Sequence, residues 1–301
     1  MKQRKSTEAF VSDLKKAEGS LRGILTNQFK VEPSKIVLIQ QGSSSLNVLS
    51  KELVDVTHEV EYGKELGFSK PTVAGHEGKV LFGFTKDGNI PVVILKGRMH
   101  LNEGYLPRQV AWPIFLFGNI GIRKVILTNA VGSTQKNRPP GSIGVISDHF
   151  NYVRKDPFYG GLARMLGKNN QFVPMDNIYH PGYARIAYCI GKQDLNLNIH
   201  HGKYLINMGP SFETKHEVET FRDAFGVDYI GMSLVMEAMA SKLYTDFENP
   251  EKSMMVLALS GVSNYAAGIS EESITHENNL RVLEELDSNF STLIYKCIQR
   301  M

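Results

Sequence analysis

Cysteine is scarce in this chain, with 2 among 301 residues. Cys189 and Cys297 lie far apart in the sequence, and neither forms a closely spaced pair of metal ligands. We therefore predict neither a disulfide framework nor a zinc site. Both cysteines are expected to act as small buried apolar side chains.

Long apolar runs and a large net charge are also missing. No apolar stretch approaches the roughly 18 residues that cross a bilayer, and no apolar core of a secretory signal follows the first residues. The chain has 34 Lys+Arg and 31 Asp+Glu, a formal net charge of +3, and no long basic block. We therefore expect a cytoplasmic protein that binds neither membranes nor nucleic acid.

What the sequence does contain is a succession of short apolar runs separated by amphipathic segments, which is typical of an α/β fold. The pattern predicts one domain over residues 1–301, with a large twisted mixed sheet flanked by helices. The predicted strands are 36–39, 80–84, 92–95, 125–127, 143–146, 203–207, 229–232 and 254–259. The predicted helices are 7–25, which packs on the domain, 108–119, 182–192, 215–225, 235–244 and a long one from 276. Residues 151–181, rich in Gly and Pro, predict a long surface loop.

The segment that follows the predicted strand 92–95 carries the strongest chemical signal. If the chain stays extended, Arg98 and His100 lie two residues apart and point to the same side. A guanidinium that stays charged, beside an imidazole that can donate or accept, suits an oxyanion such as phosphate. The alternative interpretation is a pair of solvated residues at a sheet edge.

Further polar segments lie next to other predicted strands, most of them at the carboxyl ends, and open α/β sheets place their ligand crevice at this edge. Each of them alone could be an ordinary turn, and the Ser-rich one is neither a P-loop nor a nucleophile elbow. Together they predict one ligand-binding crevice. The segments are Ser43-Ser44-Ser45, Gly75-His76-Glu77-Gly78, Thr128-Asn129-Ala130, Gly209-Pro210-Ser211-Phe212-Glu213-Thr214, Gly231-Met232-Ser233 and Ser260-Gly261-Val262-Ser263-Asn264.

In order and approximate spacing, these motifs resemble those of the trimeric purine nucleoside phosphorylases of the nucleoside phosphorylase-I family. The most specific are Gly97-Arg98-Met99-His100 and the hexapeptide Gly209-Pro210-Ser211-Phe212-Glu213-Thr214. The resemblance implies a homotrimer that performs reversible phosphorolysis of 6-oxopurine (2'-deoxy)ribonucleosides, such as inosine and guanosine, in purine salvage. Inorganic phosphate would be the co-substrate, and neither a metal nor an organic cofactor is expected.

The resemblance also implies roles for individual residues. Phosphate would be held by Ser44, His76, Arg98, His100, Asn129, the backbone N–H of Ala130, and Ser233, with Ser43 replacing Ser44 if the loop register shifts by one. The purine nucleoside would contact Phe212, Glu213, Met232, Ser263, Asn264 and His276. Asn264, His100 and Glu213 would be the catalytic residues, and Asn264 would stabilise the leaving base.

Two departures from the family pattern keep other functions open. Asn102 stands where the family has a Tyr on the sugar side, and Ser43-Ser44-Ser45-Leu46-Asn47 replaces its Gly-Ser-Gly-Leu-Gly loop. One alternative is a methylthioadenosine phosphorylase. Asn264 argues against it because those enzymes carry Asp near this position, and His276 argues against it because a methylthio group would prefer an apolar 5' pocket. The other is a catalytically impaired nucleoside-binding paralogue.

Overall fold

The computed structural model describes residues 2–42, 47–63, 65–73, 75–167, 172–271 and 275–301, with the backbone alone for residues 2–6 and 276. Nine strands in this part of the chain form one mixed sheet. In chain order, β1 to β9 are Val37–Gln41, Val54–Glu61, Lys79–Thr85, Pro91–Lys96, Lys124–Ser133, Ile143–Asn151, Ile199–Ile206, Tyr229–Gly231 and Met255–Tyr265.

The strand order is β2-β3-β4-β1-β5-β8-β7-β6-β9, and β9 pairs in addition with β5. Strands β5, β8, β7, β6 and β9 therefore close into a ring, and β1, β4, β3 and β2 extend from it as an open arm. Strand β5 belongs to both parts, since its first residues pair with β1 and its last two with β8. Because β4, β1, β5 and β9 are parallel, their carboxyl ends meet at one edge.

Eight α-helices surround the sheet in the described part of the chain. They are α1 to α8 in chain order, with bounds Lys2–Ile24, Pro107–Val110, Trp112–Ile120, Leu162–Met165, Pro181–Cys189, Lys215–Asp223, Val235–Ser241 and His276–Ile298. Helix α1 buries Phe10, Leu14 and Leu21 in the larger part of the core. None of the helices within the described ranges is both long and apolar enough to cross a membrane.

Helix α8 shows how the sequence sets a boundary and a buried face. The Thr275 hydroxyl accepts from the Asn278 N–H at 3.2 Å, which satisfies a free donor in the first turn. Leu283, Leu286 and Phe290 follow at a spacing of three and four residues, and all are buried. They lie against Gly261 of β9, where a Cβ would come within 3.0 Å of a Leu283 methyl group.

The predicted α/β class, with a mixed sheet flanked by helices, is confirmed, but two elements differ. The prediction missed β2, because only Val54 and Val60 of this edge strand are buried. The predicted helix 108–119 is two helices, α2 and α3, separated at Ala111. Pro113 explains the break, since it has no N–H to continue the helical hydrogen bonding.

The predicted surface loop 151–181 is wrong in part. It contains α4, and Leu162, Ile178 and Tyr179 within it are buried. The Gly and Pro residues correctly indicated irregular backbone, but the apolar residues between them pack on the core. Residues 168–171 of this segment lie outside the described part.

Candidate active site

The chain turns sharply after β4, and glycine is required for the turn. Gly97 has a φ of +111°, and a Cβ there would come within 2.9 Å of the His76 Cβ. The Gly97 carbonyl accepts from Gln40 Nε2 at 2.7 Å and from the Tyr62 hydroxyl at 2.8 Å. The backbone that leads into Arg98 is therefore held from two neighbouring elements.

The Arg98 side chain is almost completely buried, at 1% exposed. Its Nη1 donates to the Thr128 carbonyl at 2.8 Å and to Ser233 Oγ at 3.1 Å. Its Nε lies 3.1 Å from Oε1 of Glu237, a fully buried carboxylate on α7. The third nitrogen, Nη2, has no hydrogen-bond partner among the described residues. A buried cation with an unused donor is a suitable anchor for an anion.

His76 and His100 lie together beside Arg98, with their rings nearly perpendicular and their centroids 5.2 Å apart. The Arg98 N–H donates to His76 Nδ1 at 2.9 Å, so this nitrogen carries no proton. Burial, together with the neighbouring charges of His100 and Arg98, lowers the pKa of His76 to about 3. The ring is therefore neutral at neutral pH, and its Nε2–H group can donate a hydrogen bond.

Glu103 orients His100. Its Oε1 lies 2.8 Å from His100 Nδ1 and accepts from the His100 backbone N–H at 2.7 Å. Its Oε2 accepts from the N–H and the hydroxyl of Thr72, each at 2.6 Å. Burial raises the pKa of Glu103, but the hydrogen bonds from His100 and Thr72 outweigh it and lower the pKa to about 2. The carboxylate stays charged and fixes the imidazole.

In the Asn129 side chain, the amide oxygen accepts a hydrogen bond, whereas the amide nitrogen has no hydrogen-bond partner among the described residues. It is 4% exposed, and its Oδ1 accepts from Ser260 Oγ at 2.6 Å. The two residues face each other in the parallel β5–β9 register. Its Nδ2 has no hydrogen-bond partner in the described part of the chain. Ser260 thus orients the amide so that its donor end is free for a ligand.

Ser233 reaches Arg98 by a route that differs from the prediction. Strand β8 runs antiparallel to β5, with Ile230 opposite Gly132, so the residues after β8 pass back along β5. Tyr204 holds this segment: its hydroxyl donates to the Ser233 carbonyl at 3.0 Å and accepts from the Ser233 N–H at 3.2 Å. The prediction of a common carboxyl edge is therefore wrong for β8, although the contact between Ser233 and Arg98 exists.

The residues assigned to the base and sugar range from buried to half exposed. Glu213 is 8% exposed and accepts from Asn207 Nδ2 at 2.9 Å; burial raises its pKa, and the hydrogen bond opposes that rise. Phe212 beside it is 46% exposed. Asn102 Nδ2 lies 3.7 Å from the sulfur of Met232, and its buried Oδ1 has no hydrogen-bond partner among the described residues.

Asn264 is occupied by its own neighbours. Its Oδ1 accepts from Ser263 Oγ at 2.8 Å, and its Nδ2 donates to the Tyr265 carbonyl at 2.8 Å. Both amide atoms would have to exchange these partners to contact a ligand. Gly132 keeps the space beside the amide clear, since a Cβ there would come within 3.1 Å of Asn264 Nδ2.

The structure thus links Arg98, His76, His100 and Ser233 by direct contact, and Asn129 and Ala130 follow Thr128 on β5. Ser43 and Ser44 lie outside the described residues. His276 begins α8, but its side chain is also outside the description. Sequence reasoning gave no role to Glu237, Glu103, Tyr204 or Ser260, which hold the assigned side chains in place. Two of these had a local signal: Ser260 begins one of the predicted polar segments, and Glu103 follows His100 by three residues.

The chain is similar to known proteins over most of its length. Residues 46–299 match the phosphorylase superfamily. Purine nucleoside phosphorylase 1 of Bacillus subtilis is 32% identical over 263 residues, which are 87% of this chain and 91% of that protein. The enzyme of the same name from Geobacillus stearothermophilus is 29% identical over 92% of this chain and 94% of its own length.

A solved structure shares the fold. The crystal structure of Schistosoma mansoni purine nucleoside phosphorylase in complex with inosine aligns with a TM-score of 0.75 at 22% identity, over 97% of each chain. The chain therefore belongs to the phosphorylase superfamily, within the family of the purine nucleoside phosphorylases, and is a pentosyltransferase.

Proposed function

We propose that this enzyme catalyses the reversible phosphorolysis of 6-oxopurine nucleosides, inosine and guanosine and their 2'-deoxy forms, to a purine base and (deoxy)ribose 1-phosphate. The observation that carries the proposal is the setting of Arg98. This guanidinium is 1% exposed and keeps an unused donor beside His76, His100 and Ser233. A cation withdrawn from water in this way would bind a phosphate oxyanion strongly.

On the phosphate side, Arg98 supplies the charge and further polar groups supply direction. These groups are His76 through Nε2–H, His100, Asn129 through Nδ2, the backbone N–H of Ala130, Ser233 and, from the family resemblance, Ser44. In phosphorolysis a phosphate oxygen forms a bond to C1' as the C1'–N9 bond breaks and its electron pair moves to the purine. Donors fixed before the reaction hold the nucleophile in line at no further ordering cost.

On the base side, the Glu213 carboxylate accepts from the purine N1–H, Phe212 stacks on the ring, and Asn264 bonds O6 and N7. Ser263 lies beside Asn264, Met232 packs under the ribose, and His276 contacts the 5'-hydroxyl. A carboxylate acceptor favours a 6-oxopurine, whose N1 carries hydrogen, over adenine, whose N1 is itself an acceptor. Asn264 stabilises the negative charge that develops on the leaving base.

We also propose that the enzyme is a cytoplasmic homotrimer of purine salvage that needs no metal or organic cofactor and binds no nucleic acid. The family resemblance supports the trimer. A cluster of exposed aromatic side chains is in keeping with a subunit interface: Phe150 and Phe225 are stacked 4.6 Å apart, and Tyr152 is 43% exposed beside them.

The test is to mix the purified protein with inosine and phosphate and to measure release of hypoxanthine. Parallel reactions use guanosine, 2'-deoxyinosine, adenosine and 5'-methylthioadenosine, and a control omits phosphate. We expect rapid, phosphate-dependent cleavage of the 6-oxopurine nucleosides and much slower cleavage of the other two. Absence of product from every nucleoside would overturn the proposed activity, and a preference for methylthioadenosine would overturn the proposed substrate.

A further inference from the structure

Lys96, the last residue of β4, is a buried cation that the proposed chemistry does not use. Its side chain is 7% exposed, and its Nζ forms an ion pair with the Glu77 carboxylate. The same Nζ donates to Asn47 Oδ1 at 3.2 Å. A buried charge is unstable without polar or charged partners. These two contacts therefore fix the position of the Lys96 ammonium group.

One of the two contacts holds the turn that contains His76. The Gly78 N–H donates to the Lys96 carbonyl at 2.8 Å, and Glu77 pairs with the Lys96 side chain. His76 in turn accepts from the Arg98 N–H at 2.9 Å. Three successive residues of the turn are thus attached to the stretch from Lys96 to Arg98. The orientation of the His76 ring depends on this attachment.

The other contact holds the segment that begins at Asn47. The N–H groups of Asn47 and Val48 donate to Asp287 Oδ2 of α8, at 3.0 and 3.3 Å. The Asn47 side chain accepts from Lys96 Nζ. Lys96 therefore joins the His76 turn to this segment.

We propose that Lys96 is a positioning residue for phosphate: it sets the separation between the His76 turn and the segment beginning at Asn47. This inference rests on the proposed function, because the His76 turn matters to the reaction only if it faces phosphate. Without the Nζ group, Glu77 and Asn47 lose their shared partner. The turn keeps its hydrogen bonds to the Lys96 carbonyl and the Arg98 N–H, but it loses its link to the Asn47 segment, and phosphate must supply part of its ordering. Binding then becomes weaker for phosphate but not for the nucleoside, since those of its assigned side chains that the structure describes make no contact with Lys96.

The experiment compares Lys96→Met with the wild type in steady-state kinetics with inosine. We expect the KM for phosphate to rise about tenfold, while kcat at saturating phosphate and the KM for inosine stay within about twofold. Lys96→Arg should show a smaller rise, because a guanidinium can reach both partners. The matched control is Lys79→Met. Lys79 lies opposite Lys96 on β3, but its ion pair with Glu59 at 2.7 Å is exposed to solvent. Removal of the Lys79 ammonium group should therefore leave kcat and both KM values unchanged.

A second measurement does not depend on turnover. Inorganic phosphate should raise the melting temperature of the wild type, and Lys96→Met should need about ten times more phosphate for the same rise. Glu77→Gln is the second variant if Lys96→Met does not fold. Glu77 is 42% exposed, so its loss is tolerated, and the phosphate KM should rise about threefold.

An unchanged phosphate dependence in a folded variant, or a parallel rise in the KM for inosine, would overturn the role of Lys96. A wild type that cleaves no nucleoside, but whose phosphate-dependent melting shift is weakened by Lys96→Met, would overturn the proposed function and leave this inference standing.

Discussion

On the proposed phosphate side of the site, the side chains are buried and hydrogen-bonded to one another. On the base side, one aromatic side chain is partly exposed and the main catalytic amide is hydrogen-bonded to its sequence neighbours. Arg98 is 1% exposed and is held by Thr128, Ser233 and Glu237. Across the site, Phe212 is 46% exposed, and both amide atoms of Asn264 are paired with adjacent residues.

The two substrates would therefore meet different kinds of site. Phosphate would enter a prearranged set of donors, and most of the cost of arranging them is met when the chain folds. The purine must exchange the internal hydrogen bonds of Asn264 for its own. Substitutions on the phosphate side should therefore affect stability and activity together, and those on the base side should affect activity alone.

The largest expected effect comes from Arg98→Met. It removes the central cation and leaves the fully buried Glu237 without its partner. We expect kcat/KM for phosphate to fall by more than about three powers of ten and the free energy of unfolding by about 3–5 kcal/mol. Urea unfolding and steady-state kinetics measure the two quantities.

The double variant Arg98→Met/Glu237→Met separates the two effects. Replacing a whole buried ion pair with apolar side chains is often neutral for stability. The double variant should recover most of the lost stability and none of the activity. Recovery of activity would show that Arg98 serves only to neutralise Glu237.

Asn264→Ala should have the next largest effect, and only on the base side. Loss of the amide that stabilises the leaving purine should slow turnover of inosine by about two to three powers of ten. The phosphate-dependent rise in melting temperature should be that of the wild type. Ser263→Ala is the control: it removes one internal partner of Asn264 but leaves the amide, so turnover should change far less. A near-normal rate in Asn264→Ala would remove the residue from its assigned role.

Glu103→Gln should have a moderate effect and a distinctive pH dependence. The variant loses the charged partner of His100, and we expect kcat/KM for phosphate to fall about tenfold. In the wild type, burial raises the pKa of Glu103, but hydrogen bonds from His100 and Thr72 hold it at about 2, below the ordinary value of 4.5.

A depressed folded-state pKa gives stability that is present above pH 4.5 and is lost as the pH falls toward 2. Unfolding free energies measured across this window should fall more steeply in the wild type than in Glu103→Gln. Equal slopes would mean that the Glu103 carboxylate gains nothing from His100 and Thr72 in the folded protein.

The sequence predicted those features that depend on neighbouring residues, namely most strands and the polar side chains that directly follow them. Arg98 and His100 follow an apolar strand directly, and eight of the nine strands stand out as apolar runs. Edge strand β2 does not, because its middle residues are polar and mostly exposed. The antiparallel course of β8 was also hidden, since three residues give no sign of direction.

The partners of the assigned side chains were not predictable, for a physical reason. Glu237 lies on α7, far from Arg98 in the sequence, and no periodicity marks a buried carboxylate among apolar neighbours. The internal hydrogen bonds of Asn264 depend on its side-chain conformation, and this conformation cannot be predicted from the order of residue types. Sequence shows which chemical groups are available, and packing decides which of them remain free.

The smallest expected effect is that of Phe212→Leu, and it tests whether the open side binds the base at all. A stacked aromatic ring contributes through its face, so Leu should raise the KM for inosine by about three- to tenfold. The phosphate KM should not change, because Phe212 is not among the residues in contact with Arg98. Phe247→Leu is the matched control, since Phe247 is more exposed, at 67%, and lies outside the assigned site. Equal effects of the two substitutions would mean that Phe212 is an ordinary surface residue and that the base lies elsewhere.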